Sequence, residues 1–245
     1  MFRVLHDPAL DGPTNMARDE ALMHGVGRFA SPPTLRLYQW AAPTLSLGYF
    51  QPFADTSLLN GSVADLPVVR RLTGGGAILH DIELTYSVAI PVDHPLVYGK
   101  PNELYRLMHE AVTAALAELG VTAVLCGITD DSGPRRGPFF CFARRHEFDL
   151  LVGADKIVGS AQRRTREAIL QHGSIVVANR FAEQPTASLS LPPDQAISAL
   201  RSSLAERFGS VTNEALSPGD WTEAELASAE SLYTKYAGSA WTQRV

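Results

Sequence analysis

Two cysteines in 245 residues are too few for a disulfide framework, and no Cys/His spacing marks a zinc site. A lone thiol of this kind stays free in a reducing compartment, so the cytoplasm is the expected location. No apolar run approaches the ~18 residues of a membrane span. The opening "MFRVLHDPALDGPTNMARDE" lacks the basic stretch and apolar core of a signal peptide. Net charge is −5, which gives no electrostatic case for nucleic acid. No G-K-[ST] follows the glycines, so there is no P-loop, and the G-x-G-x-x-G of a dinucleotide site is missing. Internal repeats and low-complexity tracts are absent as well.

What is present is a core. Hydrophobic residues make up 45% and charged residues 19%, as in a soluble globular chain. "GPTNMARDEALMHGVGRF" predicts an early helix capped by Thr14 or Asn15, with Met16, Leu22 and Met23 on its apolar side. "TLRLYQW" and "TLSLGYF" predict short strands around Pro43. "VVRRLTGGGAILH" and "LTYSVAIPV" predict strand, glycine turn, strand and strand. Leu104, Leu107, Met108, Ala111, Ala115 and Leu119 recur at helical spacing, with Asn102 as the cap and Gly120 as the stop. "CGITDDSGPRRGP" is a loop by composition. "EFDLLV", "GAD" and "KIVGSAQ" predict a hairpin, and "AILQHGSIVV" a buried strand. A helix is expected from the prolines before Asp194 to Gly209, and another behind a Thr222–Glu225 capping box. Strands in the middle with helices around them, without strict alternation, predict an α+β fold with one main sheet.

Three places carry candidate chemistry. Gly74, Gly75 and Gly76 let a backbone approach a ligand closely, and Arg70, Arg71, His80 and Asp81 bracket them. Lys156 begins a strand whose small residues Gly159, Ser160 and Ala161 leave space beside it. Cys126 ends an apolar run and reads as a buried filler. Cys141 differs, because Arg135, Arg136, Arg144 and Arg145 lie within six residues of it, and positive charge beside a thiol favours the reactive thiolate. If Gly153 and Ala154 form the hairpin turn, Lys156 pairs near Leu151. Cys141 would then sit roughly 33 Å away along a straight strand, so the two meet only if Phe142–His146 folds back. His172 and Gly173 sit inside an apolar strand, the glycine marking a close approach by a neighbour or a ligand.

Taken in order, "NMARDEAL", "LRLYQWAAPTLSLGYFQ", "VVRRLTGGGAILHD", "KIVGSAQRR" and "LQHGSI" resemble the superfamily of lipoate–protein ligase, lipoyl/octanoyl transferase and biotin–protein ligase catalytic domains. "HDIELTYSV", the "CF" before the hairpin, "GSAQRR" and "ILQHGSI" look most like its cysteine-dependent octanoyltransferases with ligase-like sequence. The triple glycine, where that branch often has Gly-Gly-Arg, is closer to the ligases. "ARRHEFD" departs from the proline, serine and tyrosine usual after the cysteine. The chain ends at residue 245, leaving little room for the further C-terminal domain typical of bacterial lipoate ligases.

The resemblance implies a single catalytic domain over 1–245, with a central mixed sheet flanked by helices. An acyl tunnel is expected beneath the glycine loop. Cys141 is implied as the acyl-accepting nucleophile and Lys156 as the contact to the acyl carbonyl. Arg71, Gly74, Gly75, Gly76, His80, Gly159, Ser160, Ala161, His172 and Gly173 are expected at the substrate, with His80 or His172 as proton acceptor. The donor would be acyl carrier protein. The acceptor would be an apo lipoyl domain, such as the glycine cleavage H protein or a 2-oxoacid dehydrogenase E2. No metal is expected, and ATP with magnesium enters only if the protein is a ligase. An amidotransferase between lipoyl domains and a non-catalytic carrier-binding module are the other readings. Eight of the 21 Lys+Arg fall between Arg135 and Arg166, a candidate docking face for acidic partners.

Overall fold

The computed structural model describes residues 1–28, 30–128 and 138–245, with the backbone alone at Leu58. Most of the predicted "CGITDDSGPRRGP" loop, including Arg135 and Arg136, lies outside the described residues. Strand β1 (Phe2–Leu10) leads into helix α1 (Gly12–Arg28), followed by β2 (Thr34–Trp40), β3 (Thr44–Leu47), β4 (Val68–Arg70), β5 (Ile78–His80) and β6 (Ile82–Pro91). Helix α2 (Glu103–Glu118), β7 (Val124–Leu125), β8 (Leu150–Val152), β9 (Asp155–Arg164) and β10 (Ala168–Ala178) come next. The chain then forms α3 (Pro193–Thr212), β11 (Leu216–Pro218), α4 (Glu223–Ala237) and the short α5 (Ser239–Thr242).

The main sheet has eight strands in the order β11-β1-β2-β6-β10-β9-β8-β7. It is mixed: β1 pairs in parallel with β11 and β2, and the remaining neighbours are antiparallel. The one main sheet expected is present, and "TLSLGYF" supplies the centre of a second, smaller sheet of three strands, β4-β3-β5. Its outer strands flank the glycine turn, so this small sheet frames the glycines instead of extending the main one.

Side chains alternate across the main sheet. Leu35, Leu37, Leu84, Tyr86, Val88 and Ile90 face α2 and α3 in one core. The opposite side of β2, β6 and β10 carries Arg36, Tyr38, Trp40, Glu83, Thr85, His172 and Ser174, all buried. There α1 packs with α4, closing over Met16, Leu22, Met23 and Tyr236. The first face is a dry apolar core, in which each fully buried Leu or Met contributes about 1.5–3 kcal/mol. The second face is polar and shielded, which is where chemistry has room.

Several local expectations change. Helix α1 is capped by Asp11, whose Oδ1 accepts the Thr14 N–H at 2.8 Å. Gly12–Pro13 forms the first turn, a place that tolerates proline. Asn15 is buried inside the helix and instead bonds Leu10, Gln39 and Arg36. Asn102 sits at the start of α2 without a side-chain cap bond, whereas Gly120 ends that helix at φ +74. Helix α3 continues through Gly209 to a left-handed Asn213; a Cβ on Gly209 would meet Leu216 at 2.9 Å. The Thr222–Glu225 capping box forms as expected. Cys126 is half-buried beside the exposed Val124 and Leu125, so it is not the buried filler expected.

Candidate active site

One buried arginine holds the glycine turn and a second holds the neighbouring segment 48–51. Arg71 donates to Ser46 O at 2.8 Å, to Gly74 O and Gly76 O at 2.7 Å, and to Thr73 Oγ1 at 3.2 Å. Arg70 donates to Gly48 O, Gln51 O and Thr242 O. Arg71 therefore shapes the loop, and it also lines the pocket beside Cys141. Gly75 has φ +91, a conformation that favours glycine. Gly48, unremarked in the sequence, lets the loop close: its Cβ would lie 2.0 Å from Gly75 O. Gly74 has open space around it.

Cys141 reaches the lysine by the fold-back that the sequence left open. Phe140 bridges Ala77 in parallel. Ala77 N donates to Phe139 O at 2.9 Å, and Cys141 N to Ala77 O at 2.7 Å. A Cβ on Gly76 would stand 2.9 Å from Cys141 N, so glycine is what admits this staple. A 3-10 turn, Cys141–Ala143, then turns the chain toward the hairpin. In the hairpin Leu151 pairs with Lys156, as predicted. Lys156 Nζ lies 3.2 Å from Cys141 O and 3.8 Å from Cys141 Sγ.

Lys156 is 2% exposed and forms an ion pair of 2.8 Å with Asp149. Burial pushes the Asp149 carboxyl up, and the Lys156 charge offsets this only in part. Asp149 was missed by sequence reasoning. Its signal was an acid immediately before β8, across the hairpin from the lysine. Arg144 directs its Nε to Pro138 O and Arg145 donates to Ala154 O, so both brace backbone near the thiol.

A narrow, partly open pocket with a cavity volume of about 20 Å³ runs from Cys141 under the loop. It is lined by Gly159 and Ala161 on β9, His172 and Ser174 on β10, Thr85 on β6, and Tyr38 and Trp40 on β2. These are four neighbouring strands, so the slot crosses ~14 Å of sheet. At the far end the Trp40 ring stacks on His80 with 3.9 Å between centroids. His80 Nδ1 meets Glu83 at 2.8 Å, and Thr85 and Ser174 donate to Glu83 at 2.5 Å each. Burial would raise the Glu83 carboxyl, but the His80 charge and these three hydrogen bonds hold it below its ordinary range.

The two candidate proton acceptors are both anchored. His172 Nδ1 lies 3.0 Å from Asp19 and its Nε2 lies 2.6 Å from Thr73 Oγ1. Burial lowers its pKa against the pull of Asp19, so it is a neutral ring donating to Asp19 and accepting from Thr73. Asp19 in turn binds Arg36 at 2.7 Å. Neither His172 nitrogen is left for a substrate amine. His80 keeps one ring nitrogen outside its Glu83 bond, but it stands at the Trp40 end of the slot. Ser160 lines the slot, yet its Oγ is held by Tyr86 OH and His109 Nε2, each at 2.6 Å. Gly173 answers to a neighbour: its Cβ would meet Tyr86 at 2.6 Å and Ser160 Oγ at 2.5 Å. A Cβ on Gly159 would press on Lys156 Cε at 2.8 Å. No group of three or more His, Cys, Asp or Glu able to hold a metal occurs among the described residues. Nor is any helix among them long and apolar enough to cross a membrane.

The chain is 36% identical to an octanoyltransferase LipM of Kyrpidia tusciae over 272 aligned residues, covering 99% of this chain and 98% of that one. It is 33% identical to an octanoyltransferase LipM of Moorella thermoacetica, with 99% and 98% covered. Its fold matches a lipoate-protein ligase A bound with ATP at TM-score 0.77 and 24% identity, over 99% and 97% of the two chains. The bipartite lipoate protein ligase of Thermoplasma acidophilum, described with its E2 lipoyl domain, matches at TM-score 0.70 and 22% identity, over 98% and 95%. Residues 11–226 match the lipoyl protein ligase A/B catalytic domain model, and the chain belongs to that family.

Proposed function

We propose that this protein is a cytoplasmic octanoyltransferase that carries the acyl group on Cys141. The observation that carries the reading is the Cys141 thiol 3.8 Å from the buried Lys156 ammonium, at the mouth of a carbon-lined slot. In the first step the thiolate attacks the thioester carbonyl of octanoyl-acyl carrier protein. The enzyme thioester forms and the carrier leaves as a thiol. In the second step the ε-amine of a lysine on an apo lipoyl domain, of the H protein or an E2, attacks that thioester. An amide forms, Cys141 leaves as thiolate, and the amine proton ends on it.

Lys156 stabilises the oxyanion of both tetrahedral intermediates, and loss of one such donor costs about 3 kcal/mol. The slot takes the alkyl chain. Seven CH₂-type groups at ~0.8 kcal/mol each give several kcal/mol of gross affinity. A fully extended eight-carbon chain is about 9 Å long, shorter than the ~14 Å of sheet that the lining strands span, and the lining side chains must part to admit it. No ATP is required, because the thioester is already activated. Lys156 is buried and so drops out of the basic docking face, which rests on the arginines around it.

The test is intact-protein mass after incubation with octanoyl-acyl carrier protein without ATP. One octanoyl adduct is expected, lost in Cys141→Ser. The triple glycine and the likeness to an ATP-bound ligase favour a second reading, adenylation of free octanoate or lipoate. Modification of an apo lipoyl domain only with ATP and magnesium, and no adduct, would select it.

A further inference from the structure

We propose that Arg71, and not Lys156, supplies the net positive charge that holds the Cys141 thiolate. The inference rests on Cys141 being the acyl acceptor. Arg71 is 1% exposed, and every acceptor around it is neutral: carbonyls of Ser46, Gly74 and Gly76, and hydroxyls of Ser46 and Thr73. Among the described residues it has no carboxylate within ion-pair distance. Arg70, equally buried, is also held by carbonyls alone, but two other buried arginines carry counter-ions. Arg36 has Asp7 and Asp19 at 2.7 Å, and Arg3 has Glu225 at 2.6 Å. A buried guanidinium without a counter-ion is costly unless an anion arrives beside it.

The thiol is where that anion can form. A Cβ placed on Gly75 would lie 3.0 Å from Arg71 Nη2 and 3.8 Å from Cys141 Sγ. The two distances put the guanidinium nitrogen no more than 6.8 Å from the sulfur, on either side of a residue that has no side chain to separate them. Lys156 is also near the sulfur, but Asp149 sits 2.8 Å from its ammonium, so the pair presents little net charge. Its closer contact to the cysteine is the backbone carbonyl, at 3.2 Å. Burial pushes Arg71 down to about 10, and the attraction of Cys141 is the one influence that raises it; at neutral pH it stays charged.

The remaining titratable neighbours leave this balance standing. Arg70 faces carbonyls behind the loop. Arg144, on the cysteine's own turn, is partly solvated and bonds Pro138 O. On α2, Tyr105 is held neutral by burial. Behind Thr73, His172 is neutral. Chemically, the thiol proton goes to solvent as Arg71 stabilises the thiolate. The new C–S bond then forms, the carrier's C–S bond breaks, and the carrier thiolate takes a proton from solvent to leave as a thiol. In the second step Arg71 again faces negative charge, as the cysteine departs, so it serves both steps.

The experiment follows iodoacetamide alkylation of Cys141 against pH by intact mass, in a Cys126→Ser background. Arg71→Met is expected to raise the alkylation midpoint by about one pH unit or more, so the thiol reacts about tenfold more slowly below it. Arg71→Lys, which keeps charge but loses the fork, is expected to hold the midpoint within a few tenths while octanoyl transfer falls. The paired variant Lys156→Met/Asp149→Asn removes a neutral pair and is expected to leave the midpoint in place. A midpoint unmoved by Arg71→Met, or raised as far by the paired variant, overturns the assignment. If Arg71→Met does not fold, Arg71→Gln takes its place with the same two outcomes. Absence of an octanoyl adduct on a wild-type thiol that still alkylates, with its midpoint dependent on Arg71, would sink the acyl-acceptor reading alone.

Discussion

The blind end of the slot and its mouth each bury a carboxylate, and the two are held in opposite directions. Glu83, beneath Trp40 and His80, accepts three hydrogen bonds and stays ionised below the ordinary range. Asp149, beside Lys156, is pushed up by burial that its partner does not fully offset. One end is electrostatically closed and serves the fold. The other is left unbalanced where a thiol and an ammonium meet. Proteins retain that kind of imbalance where charge must appear and disappear.

The sharpest way to break this comparison is Lys156→Met. It is expected to slow octanoyl transfer about a hundredfold in single-turnover assays, whereas Glu83→Gln leaves transfer per folded molecule nearly intact. Equal losses in both would erase the distinction. Glu83→Gln should instead cost about 3 kcal/mol, because buried donors lose their acceptor. With roughly 2–4 °C per kcal/mol in a chain of this size, calorimetry would read a drop of about 6–12 °C.

Between the two ends, His109 holds Ser160 from α2, and burial lowers its pKa from 6.5 to about 4. A depressed folded value means that the unfolded chain binds the proton first. Stability from this group is present above pH 6.5 and is lost as pH falls toward about 4. His109→Gln should flatten that part of the stability–pH curve, by up to about 3 kcal/mol; a curve of unchanged slope would remove the histidine from the account. The smallest effect is expected for Gly173→Ala, whose methyl meets the Tyr86 ring at 2.6 Å. Overpacking of this kind costs about 1–3 kcal/mol, visible as a lower urea midpoint.

Much of this was legible from local sequence, and the unread part was tertiary. The Gly153 turn and the Leu151–Lys156 pairing follow from composition alone, because a hairpin's register is set by its turn. The Cys141–Lys156 contact does not. It depends on a parallel bridge from Phe140 to Ala77, between segments far apart in the chain. Arg71 was legible as a site residue but not as a brace of the glycine turn, since most of its partners are backbone carbonyls that no pattern announces. His172 was read as a candidate base, and its Asp19 and Thr73 partners come from α1 and the glycine turn. Gly209 was read as a stop by propensity, but packing against Leu216 overrode it.

The pairing of β1 with β11 bears on how the molecule is made. Phe2 lies against Leu216, and Arg3 reaches Glu225 across 222 residues of chain. At ~5–20 residues per second of synthesis, the first strand waits roughly ten to forty seconds for the segment that covers its open edge. During that interval β2 can already pair with it on one side, while the other side shows unpaired backbone to the surroundings. Expression at lower temperature or slower initiation is therefore expected to favour yield, by thinning the crowd of half-finished edges that meet one another.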